Sequence, residues 1–285
     1  MERTASGAGK PLVLALTCLA MIAFAANSLL ARAAFQTTGI DAASFTAIRI
    51  ASGALTLLLI LRIQGGRLRQ GRAGWASAAL LFTYAAAFSF AYRDIGTGAG
   101  ALVLFASAQL LMISYGLLKG ERASPWGLLL ALGGLGAFLA PSASAPPLHA
   151  AALMALAGFA WGGFSLMGRA SGEPVASTAA SFLYALPLAL ALLLAGAGQL
   201  RLDPAGVLYA LLSGCLASAI GYAIWYWVRV RMTAIGAGAV QLSVPIVSAL
   251  FGVLLLGERV SARGALCALA TLAGVGWVML TARRR

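Results

Sequence analysis

The sequence predicts an all-α membrane protein of ten transmembrane helices, arranged as two inverted five-helix repeats. Of its 285 residues, 61% are hydrophobic and only 9% are charged, whereas a soluble domain carries roughly 25% charged residues. Mean hydropathy is +0.93, and apolar runs of about 20 residues, the length that spans a bilayer, alternate with short polar clusters. A water-soluble fold could not bury this much apolar surface, so most of the chain is predicted to lie in lipid.

Each of ten apolar runs is predicted to form one membrane-spanning helix. The breaks fall at polar or helix-breaking clusters such as Gln36–Asp41, Pro141–Pro147 and Arg169–Pro174. All the linkers are short, which leaves no room for a catalytic or nucleotide-binding domain outside the membrane. The predicted helices cover residues 11–31, 44–63, 74–93, 96–118, 124–140, 149–168, 176–196, 205–228, 233–256 and 262–281.

The basic residues predict the orientation of the chain. With the N-terminus inside, fourteen of the twenty Lys and Arg residues lie at cytoplasmic ends of helices, five lie at outer ends, and Arg49 lies within a span. The positive-inside rule therefore places both termini in the cytoplasm, which requires an even number of spans. The net charge of +13 does not indicate a nucleic-acid partner, because the basic residues are scattered singly rather than gathered on one face.

An internal repeat is visible in the scarce charged residues. Glu121 lies in Gly-Glu-Arg-Ala-Ser, and Glu258, 137 positions later, lies in Gly-Glu-Arg-Val-Ser. The same offset pairs Arg32-Ala33 with Arg169-Ala170, which indicates a duplication. Since each repeat holds five helices, an odd number, the second must cross the membrane in the opposite sense, as in secondary transporters with a substrate site between the repeats. The two predicted units are residues 11–141 and 148–281.

The cysteines and the histidine predict no metal or redox chemistry. Cys18, Cys215 and Cys267 lie in separate apolar runs, and His149 is the only histidine, so no ligand spacing is present. We expect no cofactor and no enzymatic activity. A membrane-embedded enzyme is the alternative from another class, and it would need a clustered acid, histidine or metal set near one membrane face.

The Gly-Glu-Arg motifs after helices 4 and 9, Pro245 near the middle of helix 9 and the short loops resemble the drug/metabolite transporter superfamily, and within it the EamA-type ten-helix carriers. One departure is that the first repeat has Ala108-Gln109 where the second has Pro245. The resemblance implies a multi-pass protein of the cell inner membrane that exports amino acids or related metabolites, similar to the YddG-like exporters of neutral and aromatic amino acids. A broad hydrophobic-drug exporter is the alternative within transport. The expected partners are a small-molecule substrate and the lipid bilayer, and a monomer is compatible with the sequence.

Polar side chains at membrane depth are functional candidates, because they are costly there. Gln241, Ser243 and Pro245 on helix 9 either line the substrate site or pack helices together, since a proline can leave a broken helix lining a cavity. Ser165 on helix 6 either contacts substrate or joins helices by hydrogen bonding. The remaining polar candidates are Asn27 on helix 1 and Gln109 on helix 4.

Aromatic residues form a second candidate set. Tyr84 and Phe88 are four residues apart on helix 3, which puts them on one helix face. The repeat offset pairs Phe88 with Trp225, and Phe24 with Trp161. These rings either belong to interfacial belts or wall a cavity suited to neutral or aromatic amino acids. The predicted aromatic set is Phe24, Tyr84, Phe88, Trp161, Tyr222 and Trp225.

Charged residues narrow the substrate class. Arg49 is predicted to reach the outer surface by snorkelling, which argues against phosphate substrates, and no acidic residue lies deep in a predicted span. The absence of a deep acid argues against quaternary cations and a proton relay, so facilitated export is expected. At the helix ends, Glu121 with Arg122 and Glu258 with Arg259 are predicted either to pin the helix ends by ion pairs or to form alternating gates.

Overall fold

The helices follow the predicted spans closely. A computed structural model describes residues 9–68, 74–120, 124–140, 145–168, 174–229, 231 and 240–281. The helices in these residues are α1 (Lys10–Thr37), α2 (Ala42–Ile63), α3 (Gly74–Ala91), α4 (Thr97–Leu118), α5 (Pro125–Leu139), α6 (Leu148–Gly168), α7 (Pro174–Ala195), α8 (Pro204–Arg229), α9 (Ser243–Leu256) and α10 (Ala262–Thr281). Eight are long and apolar enough to cross a membrane, and α5 and α9 are shorter apolar helices of 15 and 14 residues. The predicted all-α membrane architecture is confirmed.

Polar caps fix where several helices begin. The Asp41 carboxylate accepts the Ala43 backbone N–H at 2.9 Å at the start of α2, and the Asp203 carboxylate accepts the Gly206 N–H at 3.0 Å at the start of α8. Pro204 follows at the first helical position, where its missing N–H leaves no donor unsatisfied. A capping side chain satisfies backbone donors that the first turn cannot bond internally.

Asp41 also joins two loops. Its second carboxylate oxygen accepts the Arg201 N–H at 2.8 Å, and its own N–H donates to the Arg201 carbonyl at 3.1 Å. Burial raises the pKa of the Asp41 carboxyl, but hydrogen bonds from Ser44, Arg201 and Ala43 outweigh burial and hold the pKa below its usual value. At pH values above that pKa the Asp41 carboxylate is ionised, and the contact between the α1–α2 loop and the segment before α8 is then strongest.

Two helix boundaries differ from the predictions. Helix α1 continues to Thr37 rather than residue 31, and the hydroxyl of Thr37 bonds back to the Ala33 carbonyl at 2.8 Å. Helix 9 was predicted to begin at residue 233, and its first part, 233–239, lies outside the described residues; helical residues Val240 and Gln241 are followed by a turn at Leu242, after which α9 begins at Ser243. Pro245 therefore lies in a first helical turn, where proline is tolerated.

Helix α8 contains a π-helical segment that the sequence did not predict. Ser213–Ile220 is wound with i to i+5 geometry between two α-helical parts, a departure that is frequently found at functional sites. Gly214 lies against α2 at this point, where an added Cβ would meet the Ser52 side chain and the Arg49 carbonyl. The segment thus brings the α8 backbone directly onto α2.

Close helix packing relies on glycines, as is common in membranes. Gly274 on α10 lies against the α5 backbone at Ala131, and Gly158 on α6 lies against the α4 backbone at Leu104. Helices α5 and α10 pack together, while α3 and α4 both pack against α6, and α2 packs against α7. The buried core therefore lies where α1–α4 meet α6–α9.

Candidate functional site

A small cavity lies in the middle of the bundle. It encloses about 10 Å³, which is room for about one water molecule. Its lining comes from α1, α3, α4, α6 and α8, and consists of Phe24, Asn27, Ser28, Tyr84, Phe88, Leu104, Phe105, Trp161 and Tyr222. The protein is closed around this point, so any substrate larger than water must enter through a conformational change.

Four aromatic rings from four helices meet at this cavity. The Trp161 ring centroid lies 5.1 Å from those of Tyr84 and Tyr222, and 6.0 Å from that of Phe24. All four side chains are at most 6% exposed. Phe24 and Trp161, which the repeat offset relates, are therefore in direct edge contact rather than in separate interfacial belts.

A chain of polar side chains runs along one side of the cavity. Ser213 donates to the Asn27 amide oxygen at 2.6 Å, and the Asn27 amide nitrogen donates to the Tyr84 hydroxyl at 3.1 Å. Arg49 donates through Nη2 to the same hydroxyl at 2.9 Å and through Nε to Ser218 at 3.2 Å. Both serines belong to the π-helical segment. Ser213 begins the polar chain by donating to Asn27, and Ser218 accepts the hydrogen bond from Arg49.

The prediction that Arg49 reaches the outer surface was wrong. Its side chain is buried, at 2% exposure, and its guanidinium carbon lies 4.7 Å from the Phe88 ring centroid and 5.0 Å from that of Tyr84. Cation–π contact of this kind stabilises a desolvated guanidinium by about 2 kcal/mol. Arg49 therefore points into the bundle, against two rings that line the cavity.

Several buried polar groups near the centre make no hydrogen bond within the described residues. They are Nη1 of Arg49, the indole N–H of Trp161, both amide atoms of Gln109 and the hydroxyls of Tyr222 and Ser248. A buried polar group left without a partner costs about 1–3 kcal/mol. Of these residues, Trp161 and Tyr222 line the cavity and Arg49 lies against two of its rings, which marks this point as the candidate site rather than as ordinary core.

The other predicted site residues are spread more widely. Trp225 packs on Phe24 with ring centroids 5.9 Å apart, and Gln109 lies one helical turn beyond Phe105 on α4. The predicted residues that lie outside the cavity lining in the described structure are Gln109, Ser165, Trp225, Gln241, Ser243 and Pro245. Ser243 bonds locally to the Val240 carbonyl at 2.7 Å.

Sequence reasoning missed three polar residues of the site. Ser213 and Ser218 carried no signal, because serines are frequent in this chain and the π-helical turn that aims them depends on packing against α2. Arg49 did carry a signal, as the only charged residue predicted within a span. Its direction depends on which neighbour lies beside that face of α2, which the spacing of residues does not show.

A cluster of polar contacts around Glu258 joins several helices at one end of the bundle. Its carboxylate pairs with Arg32 of α1 at 3.3 Å, and it accepts the backbone N–H of Thr97 at 2.8 Å at the start of α4. Arg32 in turn donates to the carbonyls of Tyr92 and Arg93 after α3. One carboxylate thus joins the ends of α1, α3, α4 and α9, and we call this group the Glu258 cluster.

The neighbouring candidates do not share in this cluster. Arg259 is exposed, and the partner of Glu258 is the arginine of α1 rather than the adjacent one in sequence. Glu121 and Arg122, predicted as the corresponding pair of the first repeat, lie outside the described residues.

Gly214→Ala is expected to destabilise the protein by about 1–3 kcal/mol, the usual cost of overpacking. The new methyl group would press on the Ser52 side chain and the Arg49 carbonyl, forcing α8 away from α2. Thermal unfolding in detergent measures the effect. Gly133→Ala on α5 is the matched control, since no atom lies within 4 Å of the added Cβ and alanine favours the helix. Equal unfolding temperatures for the two variants would contradict the close approach at Gly214.

The chain is similar to a protein family, to a protein of known sequence and to solved structures. The model of the EamA-like transporter family matches residues 148–280, from the start of α6 to the end of α10. The chain is 53% identical over 269 residues to the Pseudomonas aeruginosa protein named "Uncharacterized protein PA1977", covering 93% of this chain and 94% of that protein. A crystal structure of another protein superposes with a TM-score of 0.65 over 94% of this chain and 98% of that one, at 19% identity. At that identity, the last similarity shows a shared fold.

Proposed function

The chain belongs to the EamA-like transporter family, and from that premise we propose that it exports neutral or aromatic amino acids, or related small metabolites, by alternating access. Transport of a small molecule across a membrane follows from the family. The choice of amino acids is supported by the cavity, whose wall is aromatic and which carries a few fixed polar groups.

The observation that carries the proposal is the position of the cavity between the two predicted repeats. Rings from α1 and α3 meet rings from α6 and α8 around Trp161. Movement of residues 11–141 against residues 148–281 would therefore open this point to one membrane face or the other. A site that both moving parts line is what alternating access requires.

The Glu258 cluster supports a transporter closed at one end. It fastens the ends of four helices on the side that the arginine distribution assigns to the outer face. The proposed setting is the cell inner membrane, with both chain termini cytoplasmic. In that setting, the Glu258 cluster would have to separate for the cavity to open outward.

The proposed mechanism is facilitated export down a substrate gradient. The cavity lining of the described structure carries no carboxylate that could take up a proton during the cycle. Substrate binding itself would then supply the free energy that shifts the population between the inward-open and outward-open states, through different affinities for the two.

Saturable uptake of neutral and aromatic amino acids into proteoliposomes is the expected result, and it should not require a pH gradient. A labelled amino acid panel, measured with and without the gradient and against protein-free liposomes, tests this. Uptake of no amino acid would overturn the proposed substrate class. Strict dependence on the gradient would overturn facilitated export, and uptake restricted to apolar drugs would favour a drug exporter.

A further inference from the structure

We infer that Arg49 and Tyr84 form a subsite for the carboxylate of the transported molecule. This inference deepens the proposed function and rests on it for the existence of a transported substrate. It depends on three features of the site: a buried charge without a counter-charge, hydrogen-bonding capacity left unused, and a position against the rings that line the cavity.

Arg49 has no acidic partner among the residues that the structure describes. The four described acidic side chains all act at helix ends. Asp41 and Asp203 cap α2 and α8, Asp94 pairs with His149, and Glu258 pairs with Arg32. Since an arginine keeps its charge in proteins, the site holds a desolvated positive charge that a bound anion would compensate.

The guanidinium and the Tyr84 hydroxyl both have unused donors. Nη1 of Arg49 is buried and makes no hydrogen bond in the described structure. The Tyr84 oxygen accepts two hydrogen bonds, from Arg49 at 2.9 Å and from Asn27 at 3.1 Å. The tyrosine proton is therefore directed away from Arg49 and Asn27, towards the side of the cavity where Tyr222 lies.

The position of these donors suits one end of a small amphipathic molecule. A carboxylate that accepts the Tyr84 proton would lie beside the guanidinium, because the hydroxyl is only 2.9 Å from Nη2. The apolar part would then contact Trp161, Phe24 and Tyr222 on the other side of the cavity. One guanidinium balances one negative charge, so the subsite fits a monocarboxylate better than a phosphate dianion.

A matched pair of ligands separates recognition of the carboxylate from burial of the rest of the molecule. We would measure the binding of 3-phenylpropionate and 3-phenylpropionamide to the purified full-length protein by ligand-induced shifts in thermal unfolding. The two probes share the ring and chain, and differ in charge at one end. We expect the acid to bind about ten- to a hundredfold more tightly than the amide, as for loss of hydrogen bonds to a charged group. Equal affinities would overturn the inference.

Variants of Arg49 test whether the charge itself selects the acid. In Arg49→Gln the preference should fall to near unity, because binding of the acid weakens far more than binding of the amide. Arg49→Lys should keep part of the preference, and Arg62→Gln, an exposed arginine of the same helix, should keep all of it. Equal weakening of both ligands in Arg49→Gln would show a merely structural arginine, and would overturn the inference.

Tyr84→Phe keeps the test decisive if Arg49→Gln does not fold. This variant retains the ring and the arginine and removes the hydroxyl, which is the proposed proton donor and also the acceptor for Arg49 and Asn27, so the preference for the acid should fall severalfold. An unchanged ratio in Tyr84→Phe and Arg49→Lys would contradict the subsite, as would tighter binding of phenyl phosphate than of the acid. If the protein binds the acid more tightly than the amide but takes up no amino acid, the proposed substrate class is rejected while the carboxylate subsite is supported.

Discussion

Trp161→Ala is expected to reduce transport at least tenfold and to lower stability by about 3–5 kcal/mol, the cost of removing a large buried aromatic side chain. Trp161 contacts Phe24, Tyr84, Phe164 and Tyr222, so its loss removes the ring on which the others converge. Uptake into proteoliposomes at matched protein content, together with thermal unfolding, separates the two effects.

Trp161→Phe isolates the contribution of the indole N–H. Phenylalanine retains much of the apolar packing and removes a buried donor that has no partner in the described structure, so folding should be preserved while transport still falls. Trp225→Phe is the matched control, because Trp225 packs on Phe24 but lies outside the cavity lining. Normal transport by Trp161→Phe would remove the indole N–H from the site, and normal transport by Trp161→Ala would remove the residue altogether.

Glu258→Ala is expected to lower stability by about 3 kcal/mol, the lower end of the cost of removing one partner of a buried ion pair, and to expose the cavity from the Glu258 end of the bundle. The Arg32 side chain is only 18% exposed, so removing the carboxylate leaves a largely desolvated cation unpaired. It also leaves the Thr97 N–H at the start of α4 without its acceptor. A helix end that loses its cap and its ion pair together should separate more readily from its neighbours.

Labelling of a cavity residue measures this opening. Ser28→Cys, in a background without Cys18, Cys215 and Cys267, provides a thiol at the cavity for a membrane-impermeant maleimide. Labelling should be faster in Glu258→Ala than in the parent protein, and unchanged in Arg259→Ala, whose side chain is exposed. Equal labelling rates in all three proteins would show that the Glu258 cluster does not hold the bundle closed.

The helices and the aromatic wall could be predicted because their signals are local. Runs of about 20 apolar residues mark spans, and the spacing of Tyr84 and Phe88 fixes a shared helix face. The repeat offset then related Phe24 to Trp161, two rings that the structure brings to 6.0 Å. Each of these predictions uses a period or an offset along the sequence. Such a pattern does not depend on which helices pack together.

The polar part of the site could not be predicted, because it depends on contacts between helices distant in sequence. Arg49 bonds to Ser218, 169 residues away, and Glu258 pairs with Arg32, 226 residues away. A helical position fixes the depth and face of a side chain, but not which neighbour covers that face. The π-helical segment has the same origin, since Gly214 against α2 has no signature in the surrounding sequence.

The burial of Arg49 also bears on how the chain is made. An arginine at the centre of a span costs roughly 2.5–3.5 kcal/mol during insertion by the translocon, and each Leu, Ile or Phe returns about 0.3–0.6 kcal/mol. Helix α2 contains ten such residues, enough for it to enter the bilayer alone. Its guanidinium then gains Tyr84 after 35 more residues, but Ser218 only after 169. Arg49 therefore lies in the membrane without its hydrogen bond to Ser218 until α8 has been synthesised. Formation of that hydrogen bond couples the assembly of the second half of the chain to the first half.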